Sequence, residues 1–238
     1  MIAAYRCGLY LSKHPRAWMV AGMLLALPVI CSAHNISADN ARFVEGIDGP
    51  AIAPFMYLGA KHMVTGYDHL LFLLGVIFFL YRARDILLFV TLFTLGHSIT
   101  LMTGVLLEVN VNAYLIDAII GMSVVYKAFE NIDGFRQVFA IQFNAKVAVF
   151  IFGLFHGLGL ATKLQEFALS SEGLVTNIVS FNIGVELGQA IALAFILLVL
   201  LQWRQRESFQ NHAFVTNTFL MTAGFVLTGY QLAGYMWV

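Results

Sequence analysis

Residues 174–201 have the sequence LVTNIVSFNIGVELGQAIALAFILLVLL, which contains a single charged side chain, Glu186. This stretch exceeds the ~20 apolar residues that an α-helix needs to cross the ~30 Å hydrocarbon core of a bilayer. Five other apolar segments of comparable length precede or follow it, and their connections are short. The pattern predicts an all-α fold, a polytopic transmembrane helical bundle in one domain. The approximate predicted spans are 55–81, 85–107, 111–129, 143–161, 174–201 and 213–237.

The composition also favours lipid as the solvent of this 238-residue chain. Hydrophobic residues make up 60% of it and charged residues 11%, against about 25% charged residues in soluble domains. The formal net charge is zero and there is no basic tract, which argues against nucleic acid as a partner. The sequence contains no Gly-x4-Gly-Lys-Ser/Thr motif, so ATP-driven transport by this chain alone is not predicted.

The first 33 residues have the pattern of a secretory signal peptide. The apolar segment 17–30 is short for a spanning helix, and small residues follow it up to Ala33. Cleavage after Ala33 would make His34 the mature N-terminus; the alternative is an uncleaved first helix, which brings the count to seven. Basic residues before the apolar segment are Arg6, Lys13 and Arg16. The predicted division is 1–33 signal peptide, 34–53 extracytoplasmic segment and 54–238 six-helix transmembrane domain.

Charged residues between the spans predict the orientation, because cytoplasmic connections are enriched in Lys and Arg. The first, third and fifth connections are basic, whereas the second and fourth are mainly acidic. Both the mature N-terminus and the C-terminus are then predicted to lie outside a bacterial cytoplasmic membrane. The basic residues are Arg82, Arg84, Lys127, Arg136, Lys146, Arg204 and Arg206, and the acidic residues are Glu108, Glu166 and Glu172.

Ionisable side chains interrupt the apolar spans, and such residues are costly in a bilayer and tend to mark function. Counted from the basic anchors at 1.5 Å per residue, three histidines on three helices lie roughly 15–20 Å deep. Their shared depth predicts a cation or metal site near the midplane. Both cysteines, Cys7 and Cys31, lie near the N-terminus, so imidazole and carboxylate are the predicted ligands. The candidates are His62, Asp68, His69, His97, His156 and Glu186, with Asp117 as a weaker one.

Two glycine patterns predict close helix packing around these residues, since small residues four apart let helix backbones approach. Gly153 and Gly157 bracket His156, and Gly184 and Gly188 bracket Glu186.

At these residues the sequence resembles the HupE/UreJ family of bacterial membrane proteins, over nearly the whole chain after the signal. The resemblance implies transport of nickel or cobalt for hydrogenase or urease maturation. The first motif is also similar to the His-x4-Asp-His signature of nickel/cobalt permeases, with one extra residue that turns His62 by about 100° relative to His69. The motifs are His62-x5-Asp68-His69, Thr94-Leu-Gly-His97-Ser-Ile-Thr, His156-Gly-Leu-Gly-Leu-Ala and Asn182-x3-Glu186-Leu-Gly-Gln.

The favoured hypothesis is a permease for a divalent ion such as Ni²⁺, Co²⁺ or Zn²⁺, which imidazole and carboxylate ligands suit. His34 would chelate the ion outside, and His62 would receive it next. The ion would then be held at the midplane by Asp68, His69, His97 and His156, with Glu186 sharing its charge.

Two alternatives stay open. One is a membrane-embedded zinc hydrolase, in which three histidines leave a metal position for an activated water. Asp68 or Glu186 would be its base, and Ser98 would assist. The other is an accessory subunit of a larger membrane complex, or of a homo-oligomer, in which the histidines hold a structural ion.

Overall fold

The computed structural model describes residues 47–166 and 171–237, and within these ranges every regular element is an α-helix. The all-α prediction is confirmed for this part of the chain. The predicted signal peptide and His34 lie outside the described residues. In chain order the helices are α1 Ile52–Thr65, α2 Tyr67–Ile77, α3 Ala83–Leu106, α4 Ala113–Asn131, α5 Gly134–Phe139, α6 Ala145–Gln165, α7 Leu174–Arg204 and α8 Ser208–Trp237.

Among the described residues, three helices are long and apolar enough to cross a membrane, namely α3, α6 and α7. The other three predicted spans also fall on helices. Two of them depart from a simple apolar span: the first is divided into α1 and α2, and α4 carries the charged residues Asp117, Lys127 and Glu130. Large apolar side chains such as Leu87 and Phe195 are nevertheless exposed along the helices. Extensive apolar exposure of this kind marks a surface that contacts lipid or another protein.

The structure differs from the sequence prediction at Gly66, which breaks the first predicted span. Gly66 has φ −73° and ψ 101°, an extended conformation between α1 and α2. A Cβ atom on this residue would lie 2.9 Å from His69 Nδ1 and 3.0 Å from the carbonyl oxygen of His62. Because α2 begins directly after the break, Asp68 and His69 lie in its first turn. A continuous helix would instead separate His62 from His69 by two full turns, about 10 Å.

Glycines bring three pairs of helices into close contact: α3 with α6, α1 with α7 and α4 with α8. A Cβ atom on Gly157 would lie 2.1 Å from the carbonyl oxygen of His97, and one on Gly184 would lie 2.0 Å from that of Met56. No other residue allows backbones to approach so closely. The predicted packing role is therefore confirmed for Gly153, Gly157, Gly184 and Gly188.

The end of α2 that lies farther from the break is held by Arg204, at the end of α7. Its guanidinium donates hydrogen bonds to the carbonyl oxygens of Phe78 (2.8 Å), Leu80 (2.9 Å) and Ile77. The last carbonyls of a helix have no partner within it, and a cation at this end is favoured by the helix dipole. Arg204 thereby anchors the helix that carries His69 in its first turn.

Candidate metal centre

His69 lies at the middle of a cluster of four buried imidazoles. Its ring centroid is 5.1 Å from that of His62, 4.9 Å from that of His156 and 6.1 Å from that of His97. His62 is the most accessible of the four at 9%, and the other three are at most 1% exposed. The break at Gly66 is what brings His62 against His69. The cluster therefore joins α1, α2, α3 and α6 at a single point.

Asp68 adds a carboxylate to this cluster. Its Oδ2 lies 3.1 Å from His69 Nδ1, and the residue is 2% exposed. One ligand atom from each of Asp68, His69 and His156 lies within 4.8 Å of the other two. Neighbouring donor atoms bound to one ion at about 2.1 Å are roughly 3–3.4 Å apart, so these three must move closer together to share an ion.

His97 contributes a further imidazole next to Asp68, His69 and His156, the three residues that we call the donor group. Both of its ring nitrogens are buried and make no hydrogen bond with any of the described residues. Burying a polar group without a hydrogen bond is unfavourable, and buried polar atoms are nearly always satisfied. A metal ion shared with His69 would satisfy a nitrogen of His97, so the chemistry of the site fits a bound cation.

Ser123 of α4 orients the ring of His156. The Ser123 hydroxyl donates its single proton to the carbonyl oxygen of Ile120, at 2.6 Å. If the hydroxyl donates to Ile120, the serine oxygen accepts a proton from His156 Nε2 in their 3.1 Å contact. In that tautomer a neutral His156 has its proton on Nε2 and its lone pair on Nδ1, so Nδ1 is the nitrogen with which it would bind a metal. Sequence reasoning missed Ser123, whose only signal is a hydroxyl within the apolar run of α4.

Ser123→Ala should weaken nickel binding by about tenfold, since the hydrogen-bond partner of a metal-binding histidine typically contributes 10–100-fold to affinity. Competition with a chelating indicator on purified protein measures this. Ser180→Ala is a matched control, because Ser180 is also buried and, within the part of the chain that the structure describes, its hydroxyl donates to the Thr176 carbonyl of its own helix. Equal affinity of Ser123→Ala and wild type would remove Ser123 from the centre.

Phenylalanine rings enclose the imidazoles. The Phe93 centroid lies 5.0 Å from that of His156 and 6.2 Å from that of His97, and the Phe72 centroid lies 5.2 Å from that of His156. Both phenylalanines are buried. Their rings exclude water from the cluster, and the resulting low dielectric strengthens electrostatic interactions between a cation and Asp68.

The structure does not bring Glu186 to the centre, where the sequence hypothesis had it sharing the charge of the ion. Glu186 is exposed on α7. Gly184 and Gly188 form the face of α7 that packs against α1, and a residue two positions from each of them lies about 200° around the helix. The carboxylate therefore points away from the contact between α7 and α1.

Two other candidate side chains lie on α4 and α3 and are not members of the group formed by Asp68, His69 and His156. Asp117 is buried on α4, and its Oδ1 lies 3.5 Å from where a Cβ on Gly159 would stand. Ser98, suggested as an assisting residue in a hydrolase, exchanges hydrogen bonds with the side chain of Asn182 on α7, at 2.9 and 3.1 Å.

The fold and this centre define a class of protein: a helical bundle with apolar outer surfaces and a buried imidazole–carboxylate site suited to a divalent transition metal. The HupE / UreJ protein family matches residues 38–238, which is most of the chain. The chain belongs to the HupE/UreJ family, whose members are membrane proteins, and the resemblance seen in its motifs is confirmed. No curated protein and no solved structure has a significant match to it.

Proposed function

We propose that this protein carries a divalent transition metal ion, nickel or cobalt, across a bacterial cytoplasmic membrane. The observation that carries the proposal is the donor group of Asp68, His69 and His156, whose ligand atoms lie within 4.8 Å of one another in the interior. Membership of the HupE/UreJ family supports it, because that family is associated with nickel and cobalt transport. Imidazole and carboxylate without thiolate suit these borderline ions.

The broken span supports transport over permanent metal storage. Irregular backbone at membrane depth is tolerated where it is buried in protein or lines a cavity, and transporters commonly form their ion sites at such discontinuous helices. In this proposal α1 and α2 together make one of six spans, with basic connections inside and both termini outside. A signal peptide is removed, and His34 captures the ion first. His62, the most accessible imidazole of the cluster, passes it to His69.

Uptake into proteoliposomes tests the proposal, with radiolabelled nickel, cobalt and zinc compared in parallel. Wild type should accumulate nickel or cobalt, and Asp68→Asn should take up either ion at least about tenfold more slowly. The substitution keeps the shape of the side chain but removes the only carboxylate of the donor group, and an ion pair in a low-dielectric site is strong.

His212→Ala provides the matched control, since His212 lies on α8 and its Nδ1 contacts the Ser208 carbonyl oxygen of its own helix. It should transport at the wild-type rate. Absence of uptake by wild type, together with one zinc ion retained through purification, would overturn the permease and favour a zinc hydrolase or a structural ion.

A further inference from the structure

A small cavity of about 10 Å³ adjoins the cluster, between α1, α2, α3 and α7. Its two polar wall residues are His69 and Gln189, and the rest of its lining is apolar, including Phe72 and Phe93. This volume is close to the roughly 10–15 Å³ that one water molecule requires. The cavity therefore has room for one small atom, and both His69 and Gln189 line it.

Gln189 is 2% exposed, and its amide is anchored by Thr94 of α3. Thr94 Oγ1 lies 2.7 Å from Gln189 Oε1 and also 3.0 Å from the carbonyl oxygen of Val90. A hydroxyl has one proton and can donate to only one of these acceptors. In this orientation Gln189 Nε2 is buried with no hydrogen-bond partner among the described residues, which costs about 1–3 kcal/mol.

The opposite orientation of the amide removes the conflict at Thr94 and puts the carboxamide oxygen, in place of Nε2, at the buried position that has no hydrogen-bond partner among the described residues. If Nε2 faces Thr94, it donates to the hydroxyl oxygen, and the hydroxyl donates to Val90. Which terminal atom of a glutamine side chain is the nitrogen and which is the oxygen is assigned from such hydrogen-bond networks. The carboxamide oxygen is then the atom turned away from Thr94, and Gln189 lines the same cavity as His69.

We propose that Gln189 is an additional oxygen ligand of the metal centre and sets its preference among divalent ions. The inference rests on the proposed function, since it concerns the same ion. With Asp68, His69 and His156 as three donors and His97 within reach, a carboxamide oxygen raises the coordination number above four. Zinc favours four tetrahedral ligands, whereas nickel accepts higher-coordinate sites of nitrogen and oxygen. Gln189 therefore favours nickel or cobalt over zinc, without adding charge that would slow release.

Cobalt absorption spectra of the purified full chain test the inference, because four-coordinate cobalt absorbs far more strongly in the visible range than five- or six-coordinate cobalt. Wild type should give the weak spectrum of the higher-coordinate ion. Gln189→Leu, which has a similar shape but no oxygen, should give the intense four-coordinate spectrum and lose about tenfold in nickel affinity, the lower end of the effect of groups around a metal. Zinc affinity should change less, so the preference for nickel over zinc falls.

Two further variants guard against a misfolded protein. Gln189→Glu keeps an oxygen at this position and should retain the higher-coordinate spectrum. Gln202→Leu makes the same substitution at an exposed position of α7 and should behave as wild type.

The outcomes separate this inference from the proposed function. An intense four-coordinate spectrum in wild type, or identical spectra and affinities in wild type and Gln189→Leu, would overturn the role of Gln189 and leave the permease standing. Failure of wild type to bind cobalt or nickel at all would overturn both.

Discussion

His69→Ala is expected to abolish metal uptake and to lower nickel affinity by more than about 100-fold. Loss of a group that only orients a metal ligand lowers metal affinity by 10–100-fold, and His69 is itself a proposed ligand, so its loss should lower the affinity further. Its ring lies against those of His62, His97 and His156, and its Nδ1 is 3.1 Å from Asp68. Removing it takes away one member of the donor group and separates the remaining imidazoles from one another.

Nickel uptake into proteoliposomes and nickel binding to the purified protein measure the two effects separately. His212→Ala again serves as the control for loss of a histidine, and the thermal unfolding midpoint establishes that His69→Ala is folded. Since alanine has the highest helix propensity, α2 is expected to remain helical in the variant. Uptake at the wild-type rate in folded His69→Ala would mean that the ion does not pass through this cluster.

Among glycine-to-alanine substitutions at the metal centre, Gly157→Ala is expected to destabilise the bundle most. The added Cβ would lie 2.1 Å from the carbonyl oxygen of His97 and 2.4 Å from the Thr100 hydroxyl oxygen. Backbone cannot rotate away as a side chain can, so α3 and α6 must move apart. Overpacking typically costs 1–3 kcal/mol and occasionally more. An effect of about 3 kcal/mol lowers the unfolding midpoint by roughly 6–12 °C in a chain of this size.

Separation of α3 from α6 also draws His97 away from His156, so metal affinity should fall together with stability. Gly229→Ala is the matched control. Apart from neighbouring atoms of α8 itself, no atom of the described residues lies within 4 Å of a Cβ at that position, and alanine exceeds glycine in helix propensity by about 1 kcal/mol. That variant should be as stable as wild type or slightly more stable. An unchanged midpoint and affinity in Gly157→Ala would contradict the close contact between α3 and α6.

Much of the fold and of the donor set could be predicted from the sequence, because both depend on local properties. The apolar runs predicted at 85–107 and 174–201 correspond to α3, Ala83–Leu106, and α7, Leu174–Arg204. Ionisable side chains in such runs are costly in lipid, so Asp68 and the histidines stood out as candidates without any knowledge of packing. The glycine pairs around His156 and Glu186 likewise indicated which faces pack closely.

The tertiary structure alone decided which of these candidates meet. The break at Gly66 brings His62 against His69, a hydroxyl from α4 orients His156, and Glu186 points outward from α7. The break depends on the backbone at Gly66, and the directions of the other side chains depend on how far each helix is rotated about its axis. In a bilayer both the lipid-facing and the core-facing positions of a helix are apolar, so hydrophobic periodicity does not report that rotation. Contacts between helices distant in sequence set it instead, such as those of Gly157 with His97 and Gly184 with Met56.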